Sequence, residues 1–183
     1  MNVARRLPAF LAALVAALLV VVSATALERG KDGWFHTGDG VRVKKIAFVS
    51  VNVYQVGHDM KELPSAKSKQ AVIDADVTKR VVWKMMRDVD PEKIRNALTE
   101  GYAMNGFTDS ARIGQFLGVL NRELKEGQFV VITYDADKKA TTLQVQNGGS
   151  VTVPGADFMK ATWSLWFGKI DQPSLGDSLI SKI

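Results

Sequence analysis

No cysteine occurs in the 183 residues, which excludes disulfides, thiolate nucleophiles, iron–sulfur clusters and covalently held haem. Histidine occurs only twice, at His36 and His58, too few for a histidine-rich metal site. Each reads as a solvated loop residue, and neither a metal nor a cofactor is expected. Proline is scarce at five residues, glycine is scattered, and no serine-rich or single-sign block marks an interdomain linker. No internal repeat is present. Charge of one sign is also in short supply: 24 Lys/Arg against 19 Asp/Glu gives +5, with lysines interleaved with acids as in Lys61-Glu62 and Asp137-Lys138-Lys139. That pattern is a mixed soluble surface and argues against a nucleic-acid partner, while leaving room for weak association with an anionic membrane surface.

Several catalytic and binding motifs are missing as well. Gly38-Asp39-Gly40 lacks the third glycine of a dinucleotide loop, and neither a phosphate-binding loop nor a G-x-S-x-G elbow occurs. Asp88, Asp90 and Glu92 alternate, but without the glycine and distal glutamate of a calcium loop. Asp90 reads instead as a helix cap.

One long apolar run is present. Arg5 and Arg6 precede Leu7–Val22, and Ser23-Ala24-Thr25-Ala26 follows. Sixteen residues fall short of the roughly 20 that span a bilayer, so residues 1–26 read as a signal peptide cleaved before Leu27. Residues 27–183 are expected to form one domain of charge +3, periplasmic or secreted.

In that domain Ile46–Val56 has apolar residues on both parities and reads as a strand covered on both faces, with Gly40–Val43 extended before it and a turn near Lys44-Lys45. Ser65 is the expected cap of a short helix through Asp74, and Thr78–Met86 alternates as a half-buried strand. Asp90-Pro91-Glu92 opens an amphipathic helix carrying Ile94, Ala97, Leu98, Gly101 and Tyr102. A second helix opens near Asp109 and is expected to run to Gly127, through Leu117, Leu120 and Leu124. Gln128–Tyr134 and Ala140–Gln146 flank a hairpin turn, and Val151–Val153 adds a short strand. Ala156–Phe167 is a helix whose stripe of Phe158, Trp163 and Trp166 reads as core, and Leu175–Ile180 closes the chain. This order predicts an α+β fold, an antiparallel sheet with helices on one face.

Gly38-Asp39-Gly40-Val41-Arg42 with the following strand Phe48–Tyr54, the helix start at Asp90-Pro91-Glu92-Lys93-Ile94, and Trp166-Phe167-Gly168-Lys169 before Pro173-Ser174-Leu175 resemble segments of chalcone isomerase-like proteins, in the same order over residues 33–183. The resemblance implies an open-faced β-sandwich with a ligand cleft between sheet and helices. It carries the family's cleft arginine over to Arg42 and the tyrosine of its fatty-acid binders to Tyr54. The enzymes' strand threonine falls at Val49, their helix-start tyrosine at Asp90 and their helix asparagine at Ala97, so the catalytic set does not carry over and no catalytic residue is assigned.

Arg42, Tyr54 and Val49 are therefore the expected ligand-binding residues, with Val49 as apolar cleft wall. Arg42 and Tyr54 meet only if the chain turns back between them, because twelve residues of strand would span about 40 Å. The reading is a non-catalytic binder of a small amphipathic carboxylate such as a fatty acid. The alternative is an isomerase or intramolecular lyase in which Arg42 stabilises an oxyanion.

Overall fold

Val81, Trp83 and Met85 alternate with Arg80, Val82 and Lys84, and in the computed structural model the first set is buried while the second is half-buried or exposed. The structure describes residues 27–183, and the expected signal peptide lies outside the described residues. The strands are β1 (Phe35–Ile46), β2 (Val49–Met60), β3 (Lys79–Met85), β4 (Phe129–Asp135), β5 (Ala140–Val145) and β6 (Ser150–Pro154). They form one antiparallel sheet in sequence order. Helices α1 (Lys69–Asp74), α2 (Pro91–Met104), α3 (Ser110–Leu117), α4 (Ala156–Phe167) and α5 (Pro173–Leu179) complete the described elements. One sheet face, carrying Val81, Trp83, Ile132 and Leu143, is buried, and the other presents Arg80, Lys84, Thr133 and Gln144. The expected α+β, open-faced arrangement is thus what the chain adopts.

The central helix is α4, whose Phe158, Met159, Trp163 and Trp166 are all buried. Fully burying an aromatic of this kind stabilises by about 2–3 kcal/mol, so this apolar stripe is the main anchor of the helical layer. Helix α2 begins as the sequence requires: Asp90 Oδ1 accepts from Glu92 N at 2.8 Å, and Pro91 takes the first helical position.

Four expectations change. The cap of α1 is Ser68, whose Oγ accepts from Ala71 N at 3.1 Å, in place of Ser65. Helix α3 ends at Leu117, not near Gly127, because the Leu124 backbone exchanges both hydrogen bonds with Val89 in an isolated bridge. Leu120 and Leu124 are buried, which is why their spacing imitates a longer helix. The β1–β2 turn falls at Ala47-Phe48, two residues beyond Lys44-Lys45, with Ala47 at φ +53° in a region that alanine seldom occupies. Neither histidine sits in a loop: both are strand residues held by partners.

His58 is buried and neutral. Its Nε2 accepts from Trp163 Nε1 at 3.0 Å, which places its proton on Nδ1, where it donates to Thr37 Oγ1 at 2.6 Å. The Thr37 hydroxyl donates onward to the Leu179 carbonyl at 2.7 Å, so one polar chain links α4, β2, β1 and α5. Burial, helped by the charges of Lys79 and His36, lowers the His58 pKa to about 3. Lys79 is also buried, donating to the Val72, Ile73 and Ala75 carbonyls at the end of α1, and burial lowers its pKa to about 7.

Between the ordinary histidine value of 6.5 and about 3 the unfolded chain therefore takes a proton that the native chain refuses. Stability from this site is complete above pH 6.5 and is lost as pH falls through that window. His36 opposes the trend: burial lowers its pKa, but its bonds to Asp39 and Asp59 outweigh that and leave it raised. Comparison of urea midpoints at about pH 7 and pH 4 for wild type and His58→Gln isolates the His58 share. The variant should be weaker at pH 7 and show a flatter fall toward pH 4; parallel curves for the two proteins would show that His58 does not set the acid sensitivity.

Candidate functional site

Arg42 and Tyr54 are directly opposed across the β1–β2 pair. The register then slips: Arg42 faces Tyr54 while Val43 faces Asn52, leaving Val53 as the extra residue of a β-bulge. Below the bulge the inward residues are Tyr54, Val56, His58 and Met60, and above it they are Val53 and Val51. The bulge shifts the inward parity by one residue. Apolar residues on both parities of this segment therefore mark a bulge rather than a strand covered on both faces.

The side chains so aimed line a cleft of about 770 Å³ between the β1–β2 hairpin, α2 and the end of α4. Val51, Val53, Ile94, Leu98 and Leu165 supply much of its apolar surface, and Trp166 lies beside Tyr54. Tyr54 stacks on Trp83 with ring centroids 4.8 Å apart, and its hydroxyl accepts from Trp166 Nε1 at 3.2 Å. That hydroxyl retains its own proton for donation, since burial pushes the Tyr54 pKa up.

Arg42 is only 14% exposed and is held from the segment before α5. Its Nη2 donates to Asp171 Oδ1 at 2.6 Å and its Nη1 to Gln172 Oε1 at 3.3 Å. Gln172 also bridges the open edge of β1, accepting from Val43 N at 2.9 Å and donating to Val41 O at 2.9 Å. Burial works to raise the Asp171 pKa, but Arg42 and then Lys44, at 3.4 Å, hold it below the ordinary carboxylate value.

The two glycines before Arg42 owe their place to packing. A Cβ at Gly38 would lie 2.2 Å from the Ser178 carbonyl oxygen, and one at Gly40 would lie 2.5 Å from Leu175 Cδ1. Helix α5 therefore rests on bare backbone at both positions, and Arg42, next on the same face, emerges at the start of α5 beside Asp171 and Gln172. The G-x-G-x-R spacing is a helix seat followed by a cation.

A family model described as chalcone isomerase-like matches residues 33–175. The chain belongs to the chalcone isomerase-like family. A search of curated proteins gives no match. Among solved structures the fold is similar to that of a fatty-acid binding protein from Arabidopsis thaliana, with a TM-score of 0.66 and 14% identity, covering 81% of this chain and 87% of that one.

Of the family positions carried over from sequence, Arg42 and Tyr54 both line the cleft. Val49 does not. It is 63% exposed next to the turn, past the end of the cleft, so the apolar wall expected there is formed by Val51 and Val53. Asp90 caps α2 and Ala97 faces the cleft, so in this family member neither position offers a hydroxyl or an amide. Sequence reasoning missed Asp171 and Gln172, although only Ile170 separates them from the Trp166–Lys169 segment. Their role appears only once α5 is seated on β1.

That seat is testable. Gly38→Ala should destabilise the protein by roughly 1–3 kcal/mol, because the methyl meets backbone and the helix must lift. A thermal midpoint unchanged from wild type would show that α5 does not bear on Gly38.

Proposed function

We propose that this protein is an exported, non-catalytic binder of a small amphipathic carboxylate, a fatty acid or close analogue. Export rests on the pattern of residues 1–26, and binding on the cleft. The observation that carries the reading is a charged, hydrogen-bonding head formed by Arg42 and Tyr54 beside an apolar cleft of about 770 Å³. Pockets of 300–1,000 Å³ with a few convergent polar groups commonly hold small ligands. Asp171 already places a carboxylate 2.6 Å from the guanidinium, so the site accepts this chemistry within its own chain. The ligand head would displace Asp171 and accept a hydrogen bond from the Tyr54 hydroxyl, with the tail along Val51, Val53 and Leu98. The similar fold from Arabidopsis thaliana belongs to a fatty-acid binding protein, which accords with this reading.

An isomerase or lyase would use Arg42 on an oxyanion, but the positions of the enzymes' other polar groups hold Asp90, engaged in capping α2, and Ala97, which offers the cleft no hydroxyl or amide. We favour binding on that ground.

Calorimetric titration with palmitate tests the reading on wild type, Arg42→Ala and Asp171→Asn. Arg42→Ala should weaken binding about tenfold or more, and Asp171→Asn should tighten it by removing the internal competitor. Affinity untouched by Arg42→Ala would overturn the proposal, and turnover of chalcones above buffer would favour the isomerase. Val53→Thr should weaken palmitate binding a few-fold, while Val49→Thr should leave it unchanged.

A further inference from the structure

The β1–β2 hairpin outruns the sheet. Strand β2 pairs with β3 only from Tyr54 to Met60, with one further bond from Met86 N to the Val53 carbonyl at 3.0 Å. Residues 43–52 continue as a two-stranded ribbon, paired with each other out to Ile46 and Val49. Four residues of strand rise about 13 Å, so the turn stands well clear of the sheet body.

The tip of this ribbon is apolar and its base is cationic. Phe48 is 105% exposed and Val49 63%, the two highest values among the large hydrophobic side chains described. Met86 and Phe129, both partly exposed, lie at the same end of the sheet. Lys44 and Lys45 are exposed on the strand leading to the tip, and residues 43–52 contain no Asp or Glu. Among the described residues Lys45 has no carboxylate within 4.0 Å, and Lys44 reaches only Asp171, at 3.4 Å.

We propose that the Ala47-Phe48-Val49 tip inserts into the surface of an anionic lipid bilayer, with Lys44 and Lys45 at the headgroups. An aromatic tip next to two lysines, one of them with no carboxylate in reach, matches such a surface in both respects: the apolar part sinks roughly 5–10 Å into the headgroup boundary while the lysines meet negative potential. A protein partner would need a pocket for Phe48 and carboxylates for the lysines, which a bilayer supplies without either being shaped. Because Lys44, Val51 and Val53 also line the cleft, docking would bring its opening near the lipid surface. The inference rests on the ribbon and stands whatever the cleft holds.

The test uses residues 27–183, which contain every strand, helix and core residue described, so that the apolar run at Leu7–Val22 does not bind lipid itself. Flotation with vesicles of equal parts phosphatidylglycerol and phosphatidylcholine is compared with phosphatidylcholine alone. Wild type should float with the anionic vesicles and much less with the neutral ones. About 0.5 M salt should weaken it. Phe48→Ser should reduce binding about tenfold and Lys45→Glu about fivefold or more, with circular dichroism unchanged since both side chains are exposed. The absence of cysteine permits a single label: an environment-sensitive dye on Ser50→Cys should shift to the blue with anionic vesicles, and one on Asp137→Cys, in the β4–β5 turn at the opposite end of the sheet, should not. Failure of wild type to bind, binding that Phe48→Ser leaves intact, or self-association abolished by Phe48→Ser would each overturn the proposal, the last by making the tip a contact between copies. Palmitate titration of the Phe48→Ser variant keeps cleft binding and membrane docking distinguishable.

Discussion

The bulge at Val53 is the constraint from which the site follows. Without it the inward parity of β2 would continue through Asn52 and Ser50, and the cleft would be walled by polar side chains while Val51 and Val53 faced away. With it, Tyr54 keeps its stack on Trp83 and the next two inward residues are valines. The same slip leaves Arg42 level with Tyr54 in the ladder, so cation and hydroxyl arrive together at the boundary between the packed core and the cleft. One unpaired residue thus sets both the apolar wall and the polar head.

The polar groups inside the fold serve its assembly. Trp163, His58, Thr37 and Leu179 form a chain of bonds that joins the outermost strand to the central helix and to α5. Because α5 is also seated on Gly38 and Gly40, the start of that helix is fixed from two sides, and with it Asp171 and Gln172. A buried neutral histidine and a buried lysine capping carbonyls cost desolvation, which hydrogen bonds with well-defined geometry offset. The return is position: a helix of seven residues is too short to hold itself, and its contacts hold it.

Much of the fold was legible because its signals are local. The alternation in Thr78–Met86, the Asp90-Pro91 start of α2 and the apolar stripe of α4 all appear where pattern alone puts them. The errors arise where a long-range partner overrides a local pattern. Leu117, Leu120 and Leu124 keep helical spacing, yet the Leu124 backbone belongs to Val89. Alanine and phenylalanine carry no turn signal, so local pattern points to the lysines instead. Arg42 and Tyr54 could be named from motif and paired by a reach argument, but Val49, though on the parity of Val51 and Val53, stands at the turn past the end of the cleft, because the hairpin reverses at Ala47-Phe48. Asp171 and Gln172 lie about 130 residues from Arg42, and nothing local announces a contact of that separation.

The engagement of Arg42 by Asp171 also bears on where affinity would originate. In the proposed reading a ligand carboxylate replaces one already bound, so the guanidinium exchanges like for like and the net electrostatic gain is small. Asp171, close to half exposed, returns to water at little cost. The favourable term is then the tail, at about 0.8 kcal/mol for each methylene removed from water. Arg42 still matters strongly to the bound state, because deleting it would leave the ligand carboxylate in a largely apolar cleft without its guanidinium, a penalty larger than the net worth of the pair. In that reading the head group sets which molecules enter and in which direction, and the valine wall behind the bulge sets how tightly they stay.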